Sequence, residues 1–74
     1  MIKVKFELWM EEGRKARKIS EETREFTDIY EAYKAAHMQV FHLPSMFELA
    51  ISQPGREKRE LAVFFGMEGK VEWI

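Results

Sequence analysis

The stretch Met46-Phe47-Glu48-Leu49-Ala50-Ile51-Ser52 places Phe47, Leu49 and Ile51 on one parity and Glu48 and Ala50 on the other. Gln53-Pro54-Gly55 breaks the pattern, and Leu61-Ala62-Val63-Phe64-Phe65 follows as a continuous apolar run. Gly66-Met67-Glu68-Gly69 breaks it again before Val71 and Trp73 resume the alternation. A period of two with Pro-Gly and Gly-rich interruptions reads as a three-stranded antiparallel meander with one buried face. Ser45-Met46-Phe47-Glu48 also has the form of a capping box, the signature of a short helix, but seven residues are marginal for a helix and the alternation favours a strand.

Working back toward the first residue, Ile2, Val4, Phe6, Leu8 and Met10 share one parity, with Lys3, Lys5, Glu7 and Trp9 on the other. This predicts a strand with an apolar inner face and a polar outer one. Glu11-Glu12-Gly13 reads as a turn, with Gly13 suited to positive φ. Lys15 to about Thr23 reads as the return strand, its dense Lys and Arg content suiting a sheet edge, where charge discourages pairing with other sheets. Between the two sheet segments lies a helix. Asp28 or Thr27 caps it, and Ile29, Ala32, Tyr33, Ala36, Val40 and Leu43 form its apolar stripe. Leu43-Pro44 ends it, because the residue before proline avoids the α region.

The expected fold is thus α+β in the order ββαβββ. One helix packs on one face of a four- to five-stranded, mostly antiparallel sheet, with residues 1–74 forming a single domain. The core predicted by parity is Phe6, Leu8, Ile29, Tyr33, Ala36, Val40, Phe47, Leu49, Ile51, Leu61, Val63, Phe65 and Trp73, with Leu61 to Phe65 placed centrally because both its parities are apolar.

The bulk numbers agree with a small domain held by its core. A chain of 74 residues buries only roughly 60% of its unfolded surface. It has no cysteine for disulfides or for a structural zinc site, but six Phe and two Trp within a 46% hydrophobic composition. Self-association is a common supplement at this size. The longest apolar run is five residues, against about 20 for a bilayer span, and no signal-peptide pattern opens the chain. The expectation is a cytoplasmic protein that does not enter the membrane.

Net charge is −1, which gives no overall field for nucleic acid. The distribution is uneven. Residues 1–18 carry Lys3, Lys5, Arg14, Lys15, Arg17 and Lys18 against three glutamates, and residues 19–31 carry Arg24 against Glu21, Glu22, Glu25, Asp28 and Glu31.

Catalytic patterns are missing from the sequence. No cysteine nucleophile, phosphate-binding Gly-Lys-Ser/Thr motif or dinucleotide glycine pattern occurs, and no cofactor is implied. His37 and His42 are five positions apart, about 140° around a helix, so they do not share the face that a helical metal pair requires. The spacing Gly66-Met67-Glu68-Gly69 matches the backbone clamp between two helices of KH domains, but between strands it reads as a hairpin turn. The expected role is non-catalytic.

Two surfaces could carry such a role. Parity leaves Trp9 and Phe64 on the outer sheet face, ringed by Lys5 and Glu7. Large aromatics inside a polar rim resemble the anchors of a protein interface, with a homodimer as its simplest form. The bland alternative covers Trp9 with a loop or packs it on lysine stems. The second surface is the basic hairpin of Arg14, Lys15, Arg17 and Lys18, which could contact phosphates, with Trp9 available to stack on an unpaired base.

Overall fold

The computed structural model describes residues 1–67 and 70–74. Five strands and one helix follow in the order β1 (Ile2–Glu12), β2 (Lys15–Phe26), α1 (Ile29–Phe41), β3 (Phe47–Gln53), β4 (Arg59–Phe65) and β5 (Val71–Trp73). They form one antiparallel sheet in the order β2-β1-β3-β4-β5 with α1 packed across one face. The expected α+β architecture is present. The middle strand is β3; β4, expected to be central, lies one place from the edge. Among the described residues no helix is long and apolar enough to cross a membrane.

Local chemistry explains the boundaries. Glu12 pairs with Lys15, so Glu11 and Glu12 belong to the strand and the β1–β2 turn is Gly13-Arg14 instead of the expected Glu11-Glu12-Gly13, with Gly13 at φ +62°. Positive φ at the first turn position is the conformation that glycine supplies without steric cost. Strand β2 runs three residues past Thr23 because Phe26 pairs opposite Ile2 and stacks on Phe6, ring centroids 5.7 Å apart. The cap of α1 is Asp28, whose carboxylate accepts a hydrogen bond from the Glu31 backbone N–H at 3.0 Å. Met46 to Ser52 is extended and not helical: Phe47–Gln53 pairs with both β1 and β4.

The core lies between α1 and the sheet. Val4, Phe6, Val40, Leu49, Ile51 and Phe64 are its largest fully enclosed side chains, joined by Phe26, Ala32, Ala36, Leu61 and Ala62. Each large apolar side chain so enclosed contributes about 1.5–3 kcal/mol. Leu8, Ile29 and Tyr33 pack partly buried at its margin.

The expected alternation fails in β4. Ile51 pairs with Ala62, but its neighbour Ser52 pairs with Glu60, so Leu61 is the extra residue of a β-bulge. A bulge lets two successive residues face the same side and reverses the parity beyond it. Leu61 and Ala62 are accordingly both buried, and Phe64, expected on the outer face, lies beneath the helix at 2% exposure. Val63 and Phe65, expected in the core, take the outer face half-buried. Trp73 is on the helix side as expected but is 61% exposed, its ring 4.8 Å from that of Tyr33.

The α1–β3 loop closes onto the end of β4. Met67 N–H donates to the Leu43 carbonyl at 2.6 Å and Gly66 N–H to that of Phe47 at 3.0 Å. A Cβ on Gly66 would collide with the carbonyl oxygens of Pro44 and Leu43. Glycine is needed here for close backbone approach. The rest of the expected Gly66–Gly69 turn, Glu68 and Gly69, lies outside the described residues. Gly66→Ala should therefore destabilise the protein by about 1–3 kcal/mol, read as a lower urea midpoint, whereas Gly13→Ala, with nothing within 4 Å of its Cβ position, should cost about 1–2 kcal/mol through its positive φ alone.

Candidate functional site: the outer sheet face

Since α1 covers one face of the sheet, the other is lined by its own side chains. Strand register sorts them into rows. One runs Lys18, Trp9, Glu48, Phe65 across β2, β1, β3 and β4. The next runs Glu21, Glu7, Ala50, Val63, Glu72 across all five strands. A third holds Thr23, Lys5, Ser52 and Glu60. Trp9 reaches the outer face as predicted, but its aromatic companion is Phe65 and not Phe64. The two rings flank Glu48, which is paired directly with each of their residues.

Lys5 and Glu7 also lie on this face, bound into an ionic cluster of the domain itself. Glu7, only 7% exposed, accepts from Lys58 Nζ at 3.1 Å and Lys18 Nζ at 3.3 Å. Lys18 also donates to Glu21 at 2.7 Å, and Lys5 meets the same carboxylate at 3.2 Å. Lys58 comes from the β3–β4 connection, so this cluster ties that loop down over the sheet. Beside it the buried Ser52 Oγ has no hydrogen-bond partner among the described residues.

The carboxylates of this face titrate in opposite directions. Burial pushes the Glu7 carboxyl up, but hydrogen bonds from Lys58 and Lys18 and the nearby positive charges outweigh it, and the net shift is downward. The Lys18 hydrogen bond, with one from Lys5, likewise lowers Glu21. Burial raises Glu48, and the charges of Glu11 and Glu72 raise it further. One half of the face is therefore internally neutralised by lysines. The half around Trp9 and Phe65 carries Glu11, Glu48 and Glu72, with Lys70 beside Phe65 at its β5 end.

The basic hairpin does not assemble into one cationic surface. Register puts Lys18 on the outer face, above Trp9 at 5.7 Å from the ring centroid, and Lys15 and Arg17 on the opposite side of the hairpin. Arg17 pairs with Glu12 at 3.1 Å, Lys18 is held by Glu7 and Glu21, and Arg14 occupies the turn. Arg24 lies 5.2 Å from the Phe6 and Phe26 rings and caps that aromatic stack. The Lys18 ammonium thus lies over one side of the Trp9 ring, while Trp9 remains half-buried.

Sequence reasoning missed Phe65, Val63 and the carboxylate trio. The trio was visible as Glu11, Glu48 and Glu72 on outward parity, but only the pairing of β1 with β3, of β3 with β4 and of β4 with β5 brings its members near one another. Among the described residues no group of three His, Asp or Glu is placed to hold a metal. No family model, curated protein or solved structure matches the chain.

The opposite shifts predict opposite pH behaviour. Glu7 has a lowered folded-state pKa, so its contribution is fully present above the ordinary value of 4.5 and is lost as pH falls through the folded value. Glu7→Gln should cost about 1–2 kcal/mol at pH 7, held to that size by the solvent exposure of both ammonium partners, and the difference should shrink in acid. Glu48 has a raised pKa, so its cost appears as pH rises above 4.5. Glu48→Gln should stabilise the fold at pH 7 and have no effect in acid. Urea titrations from pH 3 to pH 8 read both signs.

Proposed function

We propose that this chain is a non-catalytic binding domain that engages a protein partner through the outer face of its sheet, centred on Trp9, Glu48 and Phe65. The observation that carries the reading is the row itself. Two half-buried aromatic rings flank a carboxylate whose charge is disfavoured by burial and by two further glutamates. An interface core of this kind supplies aromatic anchors, and charge on its rim sets the choice of partner. The uncompensated charge is negative, so the matching surface is cationic: a Lys- or Arg-bearing segment that neutralises Glu48 while its side chain packs against Trp9 and Phe65. A second copy docked through the same row would set Glu11, Glu48 and Glu72 against their equivalents, which disfavours this face for self-association.

The test is affinity capture from native cell lysate at pH 7, comparing the wild-type chain with the double variant Trp9→Ala/Phe65→Ala and with Glu48→Lys. Circular dichroism establishes that each variant is folded. A protein retained by the wild type should fall at least about tenfold in both variants. Recovery of the same proteins at undiminished yield from both variants would refute the reading.

A further inference from the structure

The two edges of the sheet are built differently. Strand β2 presents twelve residues, of which only Phe26 is buried, and carries Lys15, Arg17, Lys18, Glu21, Glu22 and Arg24 along its length. Such density of mixed charge is a standard protection against edge-to-edge association. Strand β5 has a different protection, its three-residue length, and lacks that charge density, carrying Glu72 and the adjoining Lys70.

The backbone of β5 leaves the outward groups identifiable. Phe65 N–H donates to the Lys70 carbonyl at 2.8 Å and Ile74 N–H to that of Leu61 at 3.1 Å. Antiparallel alternation then turns the N–H and C=O of Lys70, Glu72 and Ile74 toward β4, and those of Val71 and Trp73 toward the open edge. On the helix side α1 lies over β1 to β4, and β5 is covered only in part, with the Trp73 ring 4.8 Å from that of Tyr33 and Val71 packed at the margin of the core. Tyr33, His37, Met38, Phe64, Val71 and Trp73 line an apolar groove there of about 370 Å³. Met38 is 64% and Trp73 61% exposed.

From this we infer that β5 is a self-association edge, and that its occupant is the β5 of a second copy. Charge complementarity between Lys70 and Glu72 favours that copy in one register. An antiparallel pairing centred on Val71 sets Val71 opposite Val71 of the second copy, with outward N–H and C=O groups exchanging two hydrogen bonds. It also sets Lys70 opposite Glu72 of the other copy on the solvent face, twice by symmetry. Opposite charges directly across strands stabilise a pairing, and like charges oppose it. The alternative centred on Glu72 would place two glutamates against each other. The resulting two-fold pair has a continuous ten-stranded sheet, and the apolar grooves of the two copies meet along the dyad. The two surfaces share Glu72, but Val71→Pro addresses the edge and Trp9→Ala/Phe65→Ala the row, so each can fail without the other.

The experiment is sedimentation equilibrium of the 74-residue chain from about 10 µM to 1 mM, the range suited to a small interface. Wild type should show a monomer–dimer equilibrium. Lys70→Glu and Glu72→Lys should each weaken it at least about tenfold, since each opposes like charges, and the double variant K70E/E72K should restore it. Val71→Pro, which removes the outward N–H on an edge where proline is tolerated, should abolish it with circular dichroism unchanged. A chain monomeric throughout this range overturns the inference. So does a dimer that survives Val71→Pro and both charge reversals, and loss of that dimer with Trp9→Ala/Phe65→Ala would move it to the outer sheet face.

Discussion

The bulge at Leu61 decides which surface this protein has. Opposite it, Ile51 and Ser52 pair with residues two apart, and the extra residue turns both Leu61 and Ala62 toward the helix. Everything downstream in β4 is inverted by that single insertion. Phe64 becomes one of the largest enclosed side chains, in contact with Tyr33 and Trp73, whose ring centroids lie 6.5 and 6.1 Å away. Val63 and Phe65 turn outward, and Phe65 arrives beside Glu48 and in line with Trp9. Without the bulge the outer face would keep Phe64 and lose Val63.

Most of the architecture was legible because most of the chain alternates. Ile2 to Met10 and Phe47 to Ile51 each carry a polar and an apolar parity, so the buried side of β1 and β3 follows from composition alone. The helix was equally readable, since Asp28 stands three residues before Glu31 and Ala32, Ala36 and Val40 recur at helical spacing. In β4 the signal disappears. Leu61 to Phe65 is apolar at every position, so hydrophobicity cannot say which parity is inside, and a bulge leaves no mark on such a run. Phe26 escaped detection for another reason: it closes a strand whose other residues are exposed, and its burial depends on Phe6 and Arg24.

The candidate site was less legible than the fold because it is made by register. Trp9 could be placed outward from its own strand, but its neighbours come from strands far away in sequence. The same holds for charge. Glu7 reads as an ordinary solvated carboxylate in sequence, yet Lys58, fifty-one residues away, reaches it across the sheet. Arg17 and Lys18 read as a basic patch, yet they face opposite sides of the hairpin and are engaged by glutamates. What is left electrostatically open is the acidic ground around the two outer rings. What is left open in the backbone is the edge of β5. These two surfaces make different demands on a partner, one for cationic side chains and one for an extended strand.

Since the position of every side chain on β4 follows from the bulge, the most direct measurement compares the stability of Phe64→Ala and Phe65→Ala by urea denaturation. The structure predicts a loss of about 3–5 kcal/mol for Phe64→Ala, the cost of emptying an enclosed aromatic site, and a markedly smaller loss for the half-buried Phe65. Equal losses, or a larger one at Phe65, would contradict the inverted parity and with it the outer aromatic row.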